Sequence, residues 1–198
     1  QGGAAKANVF TRIALAIFEQ LPWRGVPYIP VEIMLFPKWF PFHLDKVSYW
    51  SRTVMVPLFI LCTLKAKAKN PHNVGVLELF VVHPDKEKHY FPERTFLNKC
   101  FLALDKIGLA TRPLIPDAMH KRAIAKAKEW IIERLNGEDG LGGIFPAMVN
   151  AYQALLLVGM SADDPLMVTC RKSIDKLLVV KEHEAYCQPC LSPVWDTA

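Results

Sequence analysis

The chain has 198 residues, of which 52% are hydrophobic and 22% are charged, so its composition favours a folded domain with a substantial core over a disordered segment. The formal net charge of +5 is modest, and the basic residues are scattered among aliphatic stretches, which argues against nucleic-acid binding. A high apolar content with a weak positive charge is better matched to a membrane surface.

The ends of the sequence indicate whether it is a piece of a longer protein, and its five cysteines indicate the redox state of its compartment. The chain begins at Gln1 without Met or a signal-peptide pattern and stops at Ala198, so we expect a piece of a longer protein. An odd number of cysteines fits a reducing cytoplasm better than a disulfide framework. Cys187 and Cys190 have C-x-x-C spacing but no second pair or nearby set of His ligands, which favours a structural role over redox or metal chemistry.

Apolar residues recur at helical spacing along most of the chain, so helices are expected to dominate. The first three patterns lie between Val9 and Ile17, between Leu44 and Leu58, and between Phe101 and Ile107. Three further helices are predicted over 120–135, 146–158 and 164–178. The longest apolar run, 54–64, is about half of the roughly 20 residues that a membrane-spanning helix needs, and Pro57 interrupts it. The sequence therefore predicts no transmembrane helix.

Two proline-rich stretches, 22–41 and 71–92, are predicted to be long loops between these helices, because proline removes a backbone donor and disfavours helix in the residue before it. A short β segment is compatible with the sequence of 76–82. The glycine-rich segment between Asp139 and Ile144 follows a predicted helix end at Asn136 and Gly137, which indicates a turn joining two helices of a hairpin.

Three motifs occur together and in order: PVEIM at 30–34 followed by SYWSRTV at 48–54, then DGLGGIFP at 139–146, then CLSPVWDTA at 190–198. With them, nearly the whole chain resembles the squalene-hopene cyclases. The resemblance implies an all-α fold of the α/α barrel type, here an incomplete barrel. It further implies that residues 1–191 are part of the inserted barrel domain. Residues 192–198 would begin the return into a second, catalytic barrel domain that this chain lacks.

The family's repeated motif, which usually ends in Gln, Asp-Gly and Trp, is degenerate in this chain. Leu135 occupies the Gln position and Leu141 the Trp position. This departure puts in doubt the stacked bracing that the repeat usually provides, although the hairpin itself is still expected.

The catalytic acid of the family is an Asp in an Asp-x-Asp-Asp-Thr-Ala motif, which this sequence does not contain. The segment 193–198 is only similar to it, with Trp195 in place of the first of the two adjacent Asp residues. Asp196 resembles an Asp that supports the acid region, and a helix cap explains it almost as well. Asp163 and Asp164 precede a proline and indicate a helix cap. We therefore assign no catalytic residue to this chain.

Two tryptophans match family positions that line the reaction cavity, namely Trp50 and Trp195. Aromatic faces can stabilise a nearby carbocation, more so where water is excluded. An indole packed in an ordinary core is the alternative for both. We predict that Trp50, Ile144 and Trp195 converge on one concave apolar surface, since successive hairpins of an α/α barrel surround a central space.

Ile144 and four further residues occupy family positions around the substrate. Ile144 and Pro146 correspond to an aliphatic cavity wall, and Phe145 departs from the Gln often found between them, which leaves the termination of the product open. Val47 and Met55 correspond to positions near the substrate channel. Simple core packing is the alternative for all five residues.

The resemblance implies an enzyme that cyclises squalene to hopanoid triterpenes by protonation and a carbocation cascade, without a cofactor or metal. The chain alone is expected to be inactive. The implied partners are squalene, the cytoplasmic face of a bacterial membrane and, as an open alternative, a second copy in a homodimer. The expected membrane anchors are Phe96, Leu97, Phe101 and Leu102. Two other functions stay open: an oxidosqualene or diterpene cyclase, and a noncatalytic α/α lipid-binding scaffold.

Overall fold

The computed structural model describes residues 2–91 and 95–190, which are mostly helical. Six α-helices occur in this part of the chain: α1 Val9–Ile17, α2 Tyr49–Thr63, α3 Phe96–Thr111, α4 Asp117–Ile132, α5 Phe145–Leu157 and α6 Pro165–Asp175. Two short strands follow, β1 Leu178–Val180 and β2 Ala185–Cys187, paired antiparallel with Val179 opposite Tyr186. The predicted all-α fold class is confirmed, and the β1–β2 hairpin is a small addition that the sequence did not indicate.

The helix predictions are confirmed, within about three residues at each end for α1, α4, α5 and α6. Helices α2 and α3 extend about five residues beyond the predicted patterns, and the start of the 44–58 pattern forms a separate 3-10 turn, Leu44–Lys46. Helix α5 starts at Phe145, where Pro146 suits the first turn because its missing N–H has no helical partner there. Helix α6 is capped as expected, since the Leu166 amide donates to Asp164 Oδ1 at 2.8 Å. The short β segment with which the sequence of 76–82 is compatible does not form: a 3-10 turn, Leu77–Leu79, lies there instead.

The described residues form two compact units, and the first contains those of Gln1–Ile29 and Lys65–Pro116. Helix α1 is capped by Asn8 and buries Ile13, Ala16 and Ile17. Arg12 on the same helix is also buried, and its Nη1 donates to the carbonyl oxygens of Gly25 at 2.9 Å and Tyr90 at 3.1 Å. Burial lowers the pKa of Arg12. One buried guanidinium thus ties both proline-rich loops to α1.

The second unit contains the described residues of Pro30–Leu64 and Asp117–Ala198. Helix α2 packs against α4 and α5, and α5 packs against α6. Large side chains from all four helices are fully buried, among them Phe59, Ile131, Leu155 and Met167. Burial of this size is the main stabilising contribution to such a helical layer, at about 1.5–3 kcal/mol per large apolar side chain.

The PVEIM motif lies in the second unit as a 3-10 turn, Val31–Leu35, that packs on α4. Its Glu32 is buried, and Glu32 Oε1 lies 2.6 Å from His120 Nδ1 on α4. The Val31 amide donates to Thr63 Oγ1 at the end of α2, at 3.1 Å. These two polar contacts hold the PVEIM motif against α2 and α4. The motif therefore has a structural role in the packing of these helices.

Candidate functional site

The first turn of α2 presents Trp50 at the surface of the second unit. Ser48 caps the helix by accepting a hydrogen bond from the Ser51 amide at 3.3 Å, which places Tyr49 and Trp50 in the first turn. Trp50 is 50% exposed, and its ring packs edge-on against the ring of Tyr49 with the centroids 5.9 Å apart. Trp50 is therefore not enclosed by a core formed from the described residues.

The two predicted channel residues lie on either side of Trp50 in the chain. Val47 follows a 3-10 turn, Leu44–Lys46, and its amide donates to the Leu44 carbonyl at 3.0 Å. Met55 lies within α2. Both residues are half-buried, whereas Val56 and Leu58 on the same helix are buried. Their partial exposure leaves them able to contact a further group.

The glycine-rich turn before α5 is closely fitted to the helices around it. Leu141 is completely buried and pairs with Leu135 in an isolated antiparallel bridge. The two residues that depart from the family repeat therefore stand opposite each other as an aliphatic pair. Gly140 has φ of 65°, and a Cβ added there would lie 2.9 Å from Met148 Cε and from Ser173 Oγ. This position requires glycine for both its conformation and its space.

The predicted cavity-wall residues lead into α5. The Phe145 amide donates to the Pro189 carbonyl at 2.9 Å, and Ile144 forms an isolated bridge with Cys190. Ile144 and Phe145 are half-buried, and Pro146 is exposed in the first turn of the helix. Backbone contacts with Pro189 and Cys190 thus hold this segment in place, while the side chains of Ile144 and Phe145 stay partly exposed.

Thr53 of α2 connects the Trp50 turn with the glycine-rich turn. Its Oγ1 donates to the Trp50 carbonyl at 2.7 Å, and a Cβ added at Gly142 would lie 3.0 Å from the same Oγ1. The segments carrying Trp50 and Ile144 therefore meet in the second unit. Trp195 and Asp196, the other two residues of the predicted site, lie outside the described residues. The predicted convergence of Trp50, Ile144 and Trp195 remains a prediction.

No pattern in the sequence singles out Thr53 or its contact with Gly142. Alternation of large and glycine residues after Asp139 marked a tight turn, but only the three-dimensional packing shows which helix approaches it. The closeness of a threonine methyl and hydroxyl to a glycine Cα leaves no trace in periodicity or composition.

The chemistry available at these positions is that of hydrocarbon contact. The candidate residues offer indole, aliphatic and thioether side chains, and such groups can shape an apolar ligand and stabilise a cation without transferring a proton. Among residues 2–91 and 95–190, no group of three or more His, Cys, Asp or Glu side chains is placed to hold a metal ion. Within the same ranges, no helix is long and apolar enough to cross a bilayer.

Comparison with known proteins gives consistent matches along the chain. A family model described as the squalene-hopene cyclase N-terminal domain matches residues 1–183. The chain is 48% identical to a squalene-hopene cyclase of Bradyrhizobium diazoefficiens, with 100% of this chain and 30% of that protein covered. Identity to a squalene-hopene cyclase of Zymomonas mobilis is 44%, covering 100% and 31% of the two chains. A dammaradiene synthase of Dryopteris crassirhizoma is 29% identical, covering 100% and 29%. The chain thus spans about 30% of the length of these relatives.

Proposed function

Because this chain belongs to the squalene-hopene cyclase family, we propose that the full-length protein cyclises squalene to hopanoid triterpenes. The reaction begins with protonation of a terminal alkene by a strong acid and continues as a carbocation cascade in a dry cavity. This chain contributes part of the hydrocarbon-binding wall and of the substrate channel, and the rest of the protein supplies the acid. We place the domain boundary between residues 191 and 192, where the chain would return into the domain that carries the acid. The reaction uses no cofactor.

The observation that carries this proposal is the half-exposed Trp50 beside the turn that leads to Ile144. An indole closed into a core could not approach a substrate, whereas an indole with one open side can present its face to a cation. Thr53 and Gly142 bring that indole's helix turn against an aliphatic wall segment. Aromatic and aliphatic groups in this combination fit a polyene that carries a transient positive charge.

The experiment compares the full-length protein with residues 1–198 alone, each incubated with squalene before the lipid extract is analysed. We expect cyclic triterpenes from the full-length protein and none from the shorter chain, which lacks the Asp-x-Asp-Asp-Thr-Ala acid. Cyclic product from the shorter chain above a heat-killed control would show that the acid lies within it. A full-length protein that binds squalene without converting it would favour the noncatalytic lipid-binding scaffold.

Helix α3 of the first unit supports a second proposal, attachment to a membrane surface. No residue of α3 is buried within the described structure. Phe96 is 81% exposed, Leu97 is 66% exposed, and Phe101, Leu104 and Ile107 are also exposed. Exposed apolar side chains repeated along one helix are typical of an element that lies in the membrane interface. Three of the four anchors expected from the sequence are therefore available to a bilayer.

The fourth expected anchor, Leu102, lies on the side of α3 that meets the rest of the first unit. It lines a cavity of about 150 Å³ together with Pro27 and Phe91. On the same side the Tyr28 amide donates to Asp105 Oδ1, and a Cβ added at Gly108 would lie 2.5 Å from the Tyr28 ring. The membrane-facing set is accordingly better described with Leu104 than with Leu102.

Basic residues accompany the apolar ones on α3, since Lys99 and Lys106 are exposed and Arg112 follows the helix. Lysine and arginine near an anionic surface contribute about 1 kcal/mol each to binding. We propose that the protein is a monotopic enzyme at the cytoplasmic face of a bacterial membrane, from which squalene enters. Homodimerisation is a further prediction, which sedimentation of the full-length protein in detergent would test.

A further inference from the structure

The first turn of α2 has one hydrogen bond fewer to the rest of its helix than a regular helix would give it. Pro57 lies inside α2, and proline has no N–H. The acceptor that it leaves without a helical donor is the carbonyl of Thr53, four residues earlier. The turn that carries Trp50 therefore depends more than usual on contacts made outside the backbone ladder.

The Thr53 side chain supplies such contacts. Thr53 is 0% exposed, and its Oγ1 donates to the Trp50 carbonyl oxygen at 2.7 Å. This hydrogen bond holds the hydroxyl against the backbone that carries the indole. A valine would keep the shape of the side chain and lose this hydrogen bond.

Gly142 packs closely against the Thr53 side chain. A Cβ added at Gly142 would lie 3.0 Å from Thr53 Oγ1, 3.3 Å from its Cβ and 3.4 Å from its Cγ2. Gly142 also has φ of 68°, a conformation that L side chains rarely adopt. Only glycine therefore lets the turn approach α2 this closely.

The Gly142 turn leads directly into the wall segment, and contacts on both sides of the turn hold it in place. Leu141 before it is anchored in the core, and Phe145 after it donates to the Pro189 carbonyl. A displacement of α2 against Gly142 would consequently change the separation between the Trp50 turn and Ile144. The contact of Thr53 with Gly142 therefore connects the Trp50 turn with the Ile144 segment, and we call this contact the joint.

We propose that Thr53 and Gly142 are positioning residues that set the distance between Trp50 and the wall formed by Ile144 to Pro146, and thereby decide how far the cyclisation proceeds. The inference rests on the proposed function, because it assigns these two residues a role in the cyclisation of squalene. A cation that forms at the wrong distance from the indole loses its stabilisation, and the cascade ends early with proton loss. The product ratio therefore reports the geometry of this joint.

The test uses the full-length protein with Thr53→Val, Thr53→Ser and Gly142→Ala, each incubated with squalene in the same detergent. We expect the ratio of incompletely to fully cyclised product to rise about fivefold in Thr53→Val, the change that one hydrogen bond of about 1 kcal/mol corresponds to. Gly142→Ala should raise the ratio at least as much. Thr53→Ser keeps the hydroxyl and should stay near the wild-type ratio.

Thr63→Val is the matched control, because Thr63 ends the same helix and its Oγ1 also hydrogen-bonds to the backbone, there as the acceptor of the Val31 amide. It should lower the melting temperature and leave the product ratio unchanged. If Thr53→Val and Gly142→Ala lower only turnover or melting temperature, with wild-type product ratios, the positioning role is wrong while the proposed function stands. If the wild-type protein itself forms no cyclic product, the proposed function fails, and this inference fails with it.

Discussion

Replacement of Trp50 by alanine in the full-length protein is expected to lower the turnover of squalene and to release incompletely cyclised products, with the helical fold retained. A cation over an aromatic face is stabilised by about 0.5–2 kcal/mol, which corresponds to a loss of about 2- to 30-fold in rate. Half of Trp50 is exposed, so removal of the indole creates no closed cavity in the described core. Turnover, product analysis and circular dichroism measure the three quantities.

Trp39→Ala is the control for this prediction. Trp39 is 78% exposed in the same unit and lies in an aromatic loop with Phe36, Phe40 and Phe42, away from the predicted cavity positions in the sequence. The Trp39→Ala variant should convert squalene at the wild-type rate and to the wild-type products. Equal losses in both variants, or a Trp50→Ala protein with wild-type turnover and products, would contradict the cavity assignment of Trp50.

The paired substitution of Leu97 and Leu104 by aspartate should release the full-length protein from liposomes. Insertion of a leucine side chain into the interface stabilises binding by about 1.5–3 kcal/mol, so loss of two corresponds to a decrease of at least 100-fold in partitioning. Both side chains are exposed, so neither substitution removes core packing from the described structure. Flotation with neutral and with anionic liposomes measures the bound fraction.

The matched control replaces Val81 and Val180 by aspartate, two exposed apolar residues that lie outside α3. It introduces the same charge and should float with the lipid as the wild-type protein does. Wild-type protein that stays in the soluble fraction with both lipid compositions would rule out the membrane proposal. Wild-type flotation of the Leu97 and Leu104 variant would rule out α3 as the anchor.

Much of the fold could be predicted from the sequence, because helical periodicity and end signals are local. Helix α4 was expected over 120–135 and spans Asp117–Ile132, with the chain turning at Asn136 and Gly137 as the glycine indicated. The family resemblance is confirmed by the match over residues 1–183 and by relatives that align along the whole chain. The α/α toroid class expected from that resemblance is the fold of this family.

Other features depend on contacts distant in sequence and could not be predicted. The β1–β2 hairpin is short, and its first strand follows α6 without a recognisable pattern. The apolar run at 76–82 suited a strand, but no partner strand exists for it in the described residues, and a 3-10 turn forms there. Pro57 interrupts an apolar run in the sequence, yet α2 continues through it because the helix is packed on α4 and α5.

The candidate site is predictable only in part for the same reason. The resemblance named Trp50 and Ile144 as residues of one surface, and the structure brings their segments together through Thr53 and Gly142. That joint was invisible in the sequence, since it consists of a threonine side chain that fits against a glycine in another hairpin. Leu102 was grouped with the anchors because helical spacing alone does not reveal which side of α3 meets Tyr28.

Photolabelling of the full-length protein can determine whether the Trp50 turn and the Ile144 segment contact the substrate. A squalene analogue that carries a diazirine would be bound, irradiated and located by mass spectrometry of the digested protein. We predict label on the peptides that contain Trp50 and Ile144 to Pro146, suppressed by an excess of unlabelled squalene. Label confined to other peptides, or label on these two that squalene does not suppress, would show that neither segment lines the squalene-binding cavity.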